Sequence, residues 1–352
     1  LALATLSRRV AGRAAAIEIV DMRAEIQAGR RGALSQAFVR DADRAIAAGE
    51  QVILFLNRRG ASTFVLCREC GQSVQCPRCS VSLVQHPELG GLACHYCDTV
   101  EPMPERCPNC GSPHIRGLGL GTQRLETIVS SLWPDAGVVR LDRDSVRRQE
   151  AYHEILDAFV SGRAQILVGT QLVARGLDLP TVTMVGVVDA DLPLHFPDYR
   201  SAESTFALIT QVAGRAGRSE RPATVIVQTS NPEHYSLLAA QRGDYRAFYD
   251  QEIVARRLFE FPPAAELAVL TFSDPDPERA ASESKSAGEW LQSVLDGGTL
   301  PGIRLLGPTP PFLHRLRGDY RWQLTLKGHD LARVRPHLPR GRGWSYDVDP
   351  FS

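Results

Sequence analysis

Between residues 33 and 48 the apolar positions Leu34, Ala37, Phe38, Ala45 and Ile46 recur at helical spacing, and Gly49 follows, so the pattern predicts one helix with a single buried stripe and a stop. The next residues, QVILFLN, form an apolar run of the length expected for a strand buried on both faces. A helix feeding such a strand is the repeating unit of a parallel α/β sheet. The pattern lapses at Cys67 and resumes after about residue 117: a helix near 122–132, VVRLD at 138–142, a helix near 148–160, and AQILVGT at 164–170. TVTMVGVVD at 181–189 and ATVIVQT at 223–229 are two further buried-strand candidates. The cysteine segment therefore reads as an insertion in an α/β domain. Residues 232–258 read as helix and run into Phe261-Pro262-Pro263, a boundary because proline stops a helix, and a smaller α+β region follows. The expected division is 1–62 and 117–230 for the two parts of the α/β domain, 63–116 for the insertion, 231–262 for a helical connector and 263–352 for the C-terminal domain.

Composition narrows the function classes. In 352 residues, 40 basic and 40 acidic side chains cancel, so overall charge does not mark a nucleic-acid binder and local charge has to be read instead. No apolar stretch approaches membrane-spanning length. In the Ala-rich first twenty residues Arg8, Arg9 and Arg13 follow the apolar positions, the reverse of a signal peptide, so a cytoplasmic protein is expected. The chain begins at Leu1, which suggests a piece of something longer. Only Lys285 and Lys327 are lysines, and neither lies in a G-x-x-x-x-G-K-[ST] loop, so the chain has no Walker A phosphate site.

All eight cysteines fall in four C-x-x-C pairs: Cys67/Cys70, Cys76/Cys79, Cys94/Cys97 and Cys107/Cys110. Such a turn points two thiolates at one tetrahedral ion, and two turns close a structural site, so two Zn²⁺ ions are expected. Four disulfides are disfavoured in a cytoplasmic chain with a large core elsewhere. The inner pairs have ribbon spacing, which predicts nesting: Cys76, Cys79, Cys94 and Cys97 on one ion, and Cys67, Cys70, Cys107 and Cys110 on the other. His86, His95 and His114 are surplus to eight thiolates.

GTQ at 169–171 and ARGLD at 174–178 follow a predicted buried strand, where parallel sheets bind ligands and glycine lets backbone approach phosphate. Further on, QVAGRAGR at 211–218 sets Arg215 and Arg218 on one helical face with only Ala and Gly between them, so both guanidiniums reach one phosphate group. From Pro301 to Tyr346 nine basic residues stand against two acidic ones, interleaved with Phe312, Tyr320, Trp322, Trp344 and Tyr346, a composition suited to stacking bases and holding phosphates.

In their order, NRRG (57–60), the four-knuckle insertion, GLGT (119–122), ILVGTQLVARG (166–176), DYRSAE (198–203), QVAGRAGR (211–218), LGP (306–308), RWQ (321–323) and DVDP (347–350) resemble the second lobe of a superfamily 2 helicase, and more narrowly the PriA family of replication-restart helicases. The resemblance runs from about residue 17 to the end. It implies an α/β fold: a RecA-like helicase lobe with a parallel sheet, an inserted double zinc-ribbon module and a small α+β C-terminal domain. It implies an ATP-driven 3' to 5' DNA helicase of the nucleoid that acts on forked and single-stranded DNA, with single-strand-binding protein and helicase-loading primosome proteins as partners.

By the same resemblance Arg215 and Arg218 match arginine-finger positions with Gln211 beside them, and Gly176 and Asp178 match the loop that couples ATP to DNA. Thr170 and Gln171 match positions holding the single-strand backbone, and Arg321, Arg333 and Arg335 are the C-terminal candidates for DNA contact. ATP and Mg²⁺ would be shared with a first lobe that lies outside this sequence, so this chain alone is not expected to hydrolyse ATP. Arg175 and Leu179 stand where the family often has Lys and Phe. The alternative reading is a parent that lost its ATPase and serves as a DNA-binding, primosome-assembly scaffold. The Arg215 and Arg218 pair favours the motor.

Overall fold

In the computed structural model the apolar runs become strands lying side by side. The structure describes residues 15–56, 65–67, 69–77, 82–86, 90–94, 99–117, 121–142, 145, 149–170, 179, 181–196, 198–216, 222–298, 300–311 and 314–350. The chain enters with β1 (Ala16–Asp21), α1 (Met22–Gln27), α2 (Gln36–Ala47) and β2 (Gln51–Phe55). The cysteine segment supplies β3 (Val65–Cys67), β4 (Val84–His86), β5 (Gly91–Ala93), β6 (Val100–Pro102) and β7 (Ile115–Gly117). The α/β pattern resumes with α3 (Thr122–Leu132), β8 (Val138–Leu141), α4 (Gln149–Val160), β9 (Ile166–Gly169) and β10 (Val182–Val187). Then come α5 (Asp191–Leu194), α6 (Ser201–Ala216), β11 (Thr224–Thr229), α7 (Tyr235–Arg242) and α8 (Tyr245–Leu258). The C-terminal part holds β12 (Glu266–Asp274), α9 (Pro277–Asp296), β13 (Arg304–Thr309), β14 (Arg315–Leu316), β15 (Asp319–Gly328), a 3-10 helix (Leu331–His337) and β16 (Trp344–Val348).

Six parallel strands form the main sheet in the order β1-β11-β10-β2-β9-β8. Side chains alternate across it, so each central strand feeds two cores. Ile53, Phe55, Leu167, Val185 and Val187 pack with Phe206, Ile209 and Val212 of α6 on one face, while Val52, Leu54, Ile166, Val168 and Met184 pack with Phe38, Leu125 and Val129 on the other. This is why QVILF reads as a continuous apolar run. Gly186 makes room for the Phe38 ring, since a Cβ there would lie 1.9 Å from Phe38 Cε2.

Three details differ from the sequence reading. Helix α2 begins at Gln36 rather than near residue 33, because the Ser35 hydroxyl accepts from the Phe38 N–H (3.2 Å) and caps it; Leu34 stays outside the helix, and Ala42 joins Phe38 and Ala45 as its buried face. The helix expected over 232–258 is two helices, since Gly243 ends α7 at φ +66° and Asp244 caps α8. Strand β1 has no counterpart among the apolar runs: it is an edge strand whose side chains are half-buried or exposed.

The C-terminal sheet is antiparallel, β13-β15-β12-β16, with β14 paired to β15. Helix α9 lays Ala287 and Leu291 on Leu270, Leu324 and Leu326, and Leu331 and Val334 of the 3-10 helix join the same core. This domain meets the lobe at Phe261, whose ring stacks on Tyr199 (5.2 Å between centroids) and receives the Lys327 ammonium on its face (4.0 Å).

Candidate metal centre and phosphate-facing edge

Cys67 ends β3 and Ile115 opens β7, and antiparallel pairing of these strands (Val65 with Gly117, Cys67 with Ile115) draws two distant knuckles together. The knuckles have the same hydrogen bonds. Cys67 N–H donates to Gln72 O (2.9 Å) and Gly71 N–H to Cys67 O (3.0 Å); Cys107 N–H donates to Ser112 O (2.8 Å) and Gly111 N–H to Cys107 O (2.9 Å). Each turn closes on a left-handed residue, Gly71 at φ +73° and Gly111 at φ +72°, which explains the glycine after the second cysteine of both pairs.

The sulfurs of Cys67, Cys70, Cys107 and Cys110 all lie within 4.8 Å of one another, with Cys67–Cys110 and Cys70–Cys107 at 3.6 Å. Zn–S bonds of about 2.3 Å in a tetrahedron require S···S edges of roughly 3.8 Å, so the donor set fits zinc, whereas a disulfide would need about 2.05 Å. The thiols also show why a cation is wanted. Burial opposes ionisation of Cys70, yet bonds from Gln72, Asn109 and the neighbouring thiols bring it down to about 7. The Ser112 backbone favours a Cys110 thiolate, but desolvation and the contacts with Cys67, Cys70 and Cys107 push it up to about 12. Burial, first among its causes, also raises Cys107. A tetrahedral dication on Cys67, Cys70, Cys107 and Cys110 would remove this conflict by favouring all four as thiolates.

The structure thus brings together the four outer cysteines. Of the inner set, Cys76 and Cys94 are buried in the module, and Cys94 N–H donates to Thr99 O (2.9 Å), the same i to i+5 bond as the other knuckles. Cys79 and Cys97 lie outside the described residues, as do the side chain of His86 and all of His95. His114 faces Glu69 (3.6 Å) at the surface.

At the carboxyl edge of the main sheet, Thr170 follows β9 and its N–H donates to Leu141 O (3.3 Å). Gln211 is exposed on α6, with Arg215 one turn later on the same helix, where i and i+4 are neighbours. Gln171, Gly176, Asp178, Arg218 and the Arg215 side chain lie outside the described residues.

The three C-terminal arginines do not form one patch. Arg321 alternates with Leu324 along β15 and so lies on the sheet face away from α9, whereas Arg333 and Arg335 are exposed on the 3-10 helix that packs on the α9 side. Desolvation lowers the Arg321 pKa.

Two polar clusters have no precursor in the motifs. Asp142, after β8, accepts from Thr122 Oγ1 (2.5 Å), Ser145 N–H (2.8 Å) and Arg140 (2.5 Å); burial opposes its ionisation, but these bonds bring it down to about 2. Beyond β10 and β11, Asp191, His195 and Asn231 gather beneath the cysteine module. Their signal in sequence was position alone: polar residues in loops at the carboxyl ends of buried strands.

A parallel sheet with this order, an inserted thiol cluster and a separate antiparallel domain define a helicase C-terminal lobe carrying a Cys-rich module. Residues 122–220 match the helicase conserved C-terminal domain, 76–102 the PriA DNA helicase Cys-rich region domain, and 257–351 the primosomal protein N C-terminal domain. The chain belongs to the PriA family, in its C-terminal part. It is 44% identical over 311 residues to the replication restart protein PriA of Bacillus subtilis, covering 88% of this chain and 38% of that one. It is 41% identical to that of Synechocystis (96% and 41% covered) and 37% identical to that of Treponema pallidum (99% and 53%). The chain therefore spans well under two thirds of these relatives. Among solved structures it is similar to the C-terminal domain of the DEAD-box protein Dbp5 (TM-score 0.34, 14% identity, 71% of this chain and 99% of that one) and to S. cerevisiae Dbp5 bound to RNA and ADP BeF3 (0.33, 13%, 70% and 45%). No helix among the described residues is long and apolar enough to cross a membrane.

Proposed function

We propose that this chain is the C-terminal part of an ATP-dependent 3' to 5' DNA helicase that acts in replication restart and primosome assembly at stalled forks. One observation carries the reading: a four-thiol cluster brackets the segment 76–102 that matches the Cys-rich region, and the module they form docks on the carboxyl edge of a parallel sheet whose chain matches the helicase C-terminal domain over 122–220. The sulfur geometry supports zinc on Cys67, Cys70, Cys107 and Cys110, and ribbon spacing supports a second ion on Cys76, Cys79, Cys94 and Cys97.

Bound between this lobe and the first, ATP would supply the γ-phosphoryl group whose transfer to water drives translocation, and Mg²⁺ would neutralise its phosphate charge. Arg215, in the last turn of α6, and Arg218, three residues on in the sequence, would supply cationic guanidiniums to the charge that builds on the transferred group, and Gln211 precedes Arg215 by one turn. Gly176 and Asp178 connect that event to the strand, which Thr170 and Gln171 hold by its phosphates, a contact that positions without reading sequence. Arg321 on one side of the C-terminal sheet and Arg333 and Arg335 on the other give DNA two separate basic contacts, and single-strand-binding and helicase-loading proteins are the partners that the PriA relationship favours.

The test is ATP hydrolysis by the full-length protein with and without forked DNA, beside its Arg215→Ala variant. Loss of roughly 10³-fold or more in DNA-stimulated turnover, with fork binding kept, is expected. Unchanged turnover rejects the arginine assignment. Absence of hydrolysis in the unmutated protein, with fork binding kept, makes it a scaffold.

A further inference from the structure

Gly71 directly follows Cys70, and its backbone is clasped by the helicase lobe. Asn231 Nδ2 donates to Gly71 O at 3.1 Å, lies 3.1 Å from His195 Nε2 and 3.3 Å from Asp191 Oδ1, and the His195 ring hydrogen-bonds the Gly71 backbone. Asp191 also accepts from Thr229 Oγ1 (2.5 Å) and the Ser230 N–H (2.6 Å), so one carboxylate joins the start of α5 to the end of β11. The fit leaves no slack, since a Cβ on Gly71 would lie 2.5 Å from Ser230 O, and Leu66 of β3 packs on Leu192 of α5.

The contacts continue towards the arginine helix. His195 N–H donates to Asp191 O (2.9 Å), and the Ser201 hydroxyl donates to Phe196 O (2.5 Å) and Asp198 O (2.7 Å) at the first residue of α6. Thr205 Oγ1 donates in turn to Ser201 O (2.8 Å). Hydrogen bonds and chain neighbours therefore lead from the Cys67–Cys70 turn to the helix that bears Gln211 and Arg215.

We propose that Asp191, His195 and Asn231 form a lock through which metal occupancy of the Cys67, Cys70, Cys107 and Cys110 cluster sets the position of α6. They are positioning residues, and the zinc is more than a staple for its own module. The proposal rests on the zinc reading above. The physical reason is direct: ligation of both thiolates fixes the Cys67–Cys70 turn and with it the Gly71 carbonyl, which half-buried Asn231 and His195 of the lobe share as their acceptor. Loss of the ion frees that carbonyl and takes from Asn231 and His195 the acceptor they share, which loosens the side chains around Asp191 that tie α5 to β11.

The test is hydrogen–deuterium exchange on the full chain, as purified and after removal of zinc with a chelator, with zinc measured in both. Chelation is expected to raise exchange about tenfold or more in residues 65–76 and also in α5 and the first turn of α6, while β8 and β9 stay protected. Asn231→Leu is expected to raise exchange in α5 to a similar degree with zinc content unchanged, and chelation then adds less than about twofold there. Asn231→Asp, which keeps the size and loses the donor, serves if the leucine variant does not fold. Chelation that strips zinc and leaves α5 and α6 unchanged overturns the lock while the zinc reading stands. A chain that holds no zinc overturns the zinc reading and the lock with it.

Discussion

The Arg200 guanidinium donates to the carbonyl oxygens of Asp349 and Pro350, both at 3.2 Å, and so fastens the end of the C-terminal domain to the residue before α6. Asp349 is held from the other side, its N–H donating to Leu267 O (2.7 Å) and its Oδ1 accepting from Leu267 N–H (3.1 Å). Two segments singled out in sequence, DYRSAE and DVDP, are the two halves of this junction.

Replacing Arg200 with Ala should therefore free the segment beyond β16. A loss of about 1–2 kcal/mol is expected from two charge-assisted bonds at a half-exposed site. Urea unfolding gives the magnitude, and limited proteolysis should cut the segment after Val348 faster in the variant.

Arg256 should be far less tolerant. It is 8% exposed and donates to Glu252 (7% exposed, 2.7 Å), to Glu203 of α6 (2.7 Å) and to Pro262 O (2.9 Å), while Tyr235 OH also donates to Glu252 (2.5 Å). Arg256→Met leaves Glu252 buried without its cation and should cost about 3–5 kcal/mol. Adding Glu252→Gln should recover part of that, and a double-mutant cycle from thermal unfolding checks it.

Cys107→Ser should release the ion of the outer cluster and unpair β3 from β7 while leaving the six-stranded sheet intact. Elemental analysis should show less zinc per chain, with far-ultraviolet circular dichroism nearly unchanged. Full retention of zinc would show that Cys107 is not a ligand.

His234 predicts an acid-sensitive lobe. Burial, with His195 beside it, takes its pKa down from 6.5 to about 4, and its neutral Nδ1 accepts from the Ser236 N–H (3.3 Å) to cap α7. The unfolded chain takes up this proton first, so stability present above pH 6.5 is lost as pH falls towards about 4, on the order of 3 kcal/mol for this group. His234→Asn keeps a capping acceptor and should flatten the profile between pH 7.5 and 4.5. Zinc release at low pH acts on both proteins alike, so the difference in urea midpoints isolates the histidine.

Much of this was readable in the chain. QVILF, ILVG, VTMVGV and TVIVQT are central strands, apolar on both faces because helices cover both, and that run is visible in any linear sequence. Ile17 and Ile19 of β1 give no such run, because they alternate with exposed Ala16 and Glu18. The outer cysteine quartet follows from nested spacing, and the structure brings its sulfurs together. The lock does not follow from any spacing: Gly71, the Asp191–His195 turn and Asn231 are remote in sequence, and the last two meet because β10 and β11 are neighbours in the sheet. Arg321 and Arg335 likewise look like one basic stretch in sequence, yet Arg321 lies on the face of β15 away from α9 and Arg335 is exposed on the 3-10 helix that packs on the α9 side.

The pairing of Val65 with Gly117 also settles how the module is attached as a piece of chain. Residues that face each other in an antiparallel ribbon have Cα atoms about 5 Å apart, so the polypeptide leaves the lobe and returns to it through one narrow neck. Everything from Cys67 to Ile115 is a closed detour. A two-residue turn could bridge the neck without moving β2 or α3, and the scar of that excision would begin at Asn231 and His195, which meet Gly71, and run from there into α5.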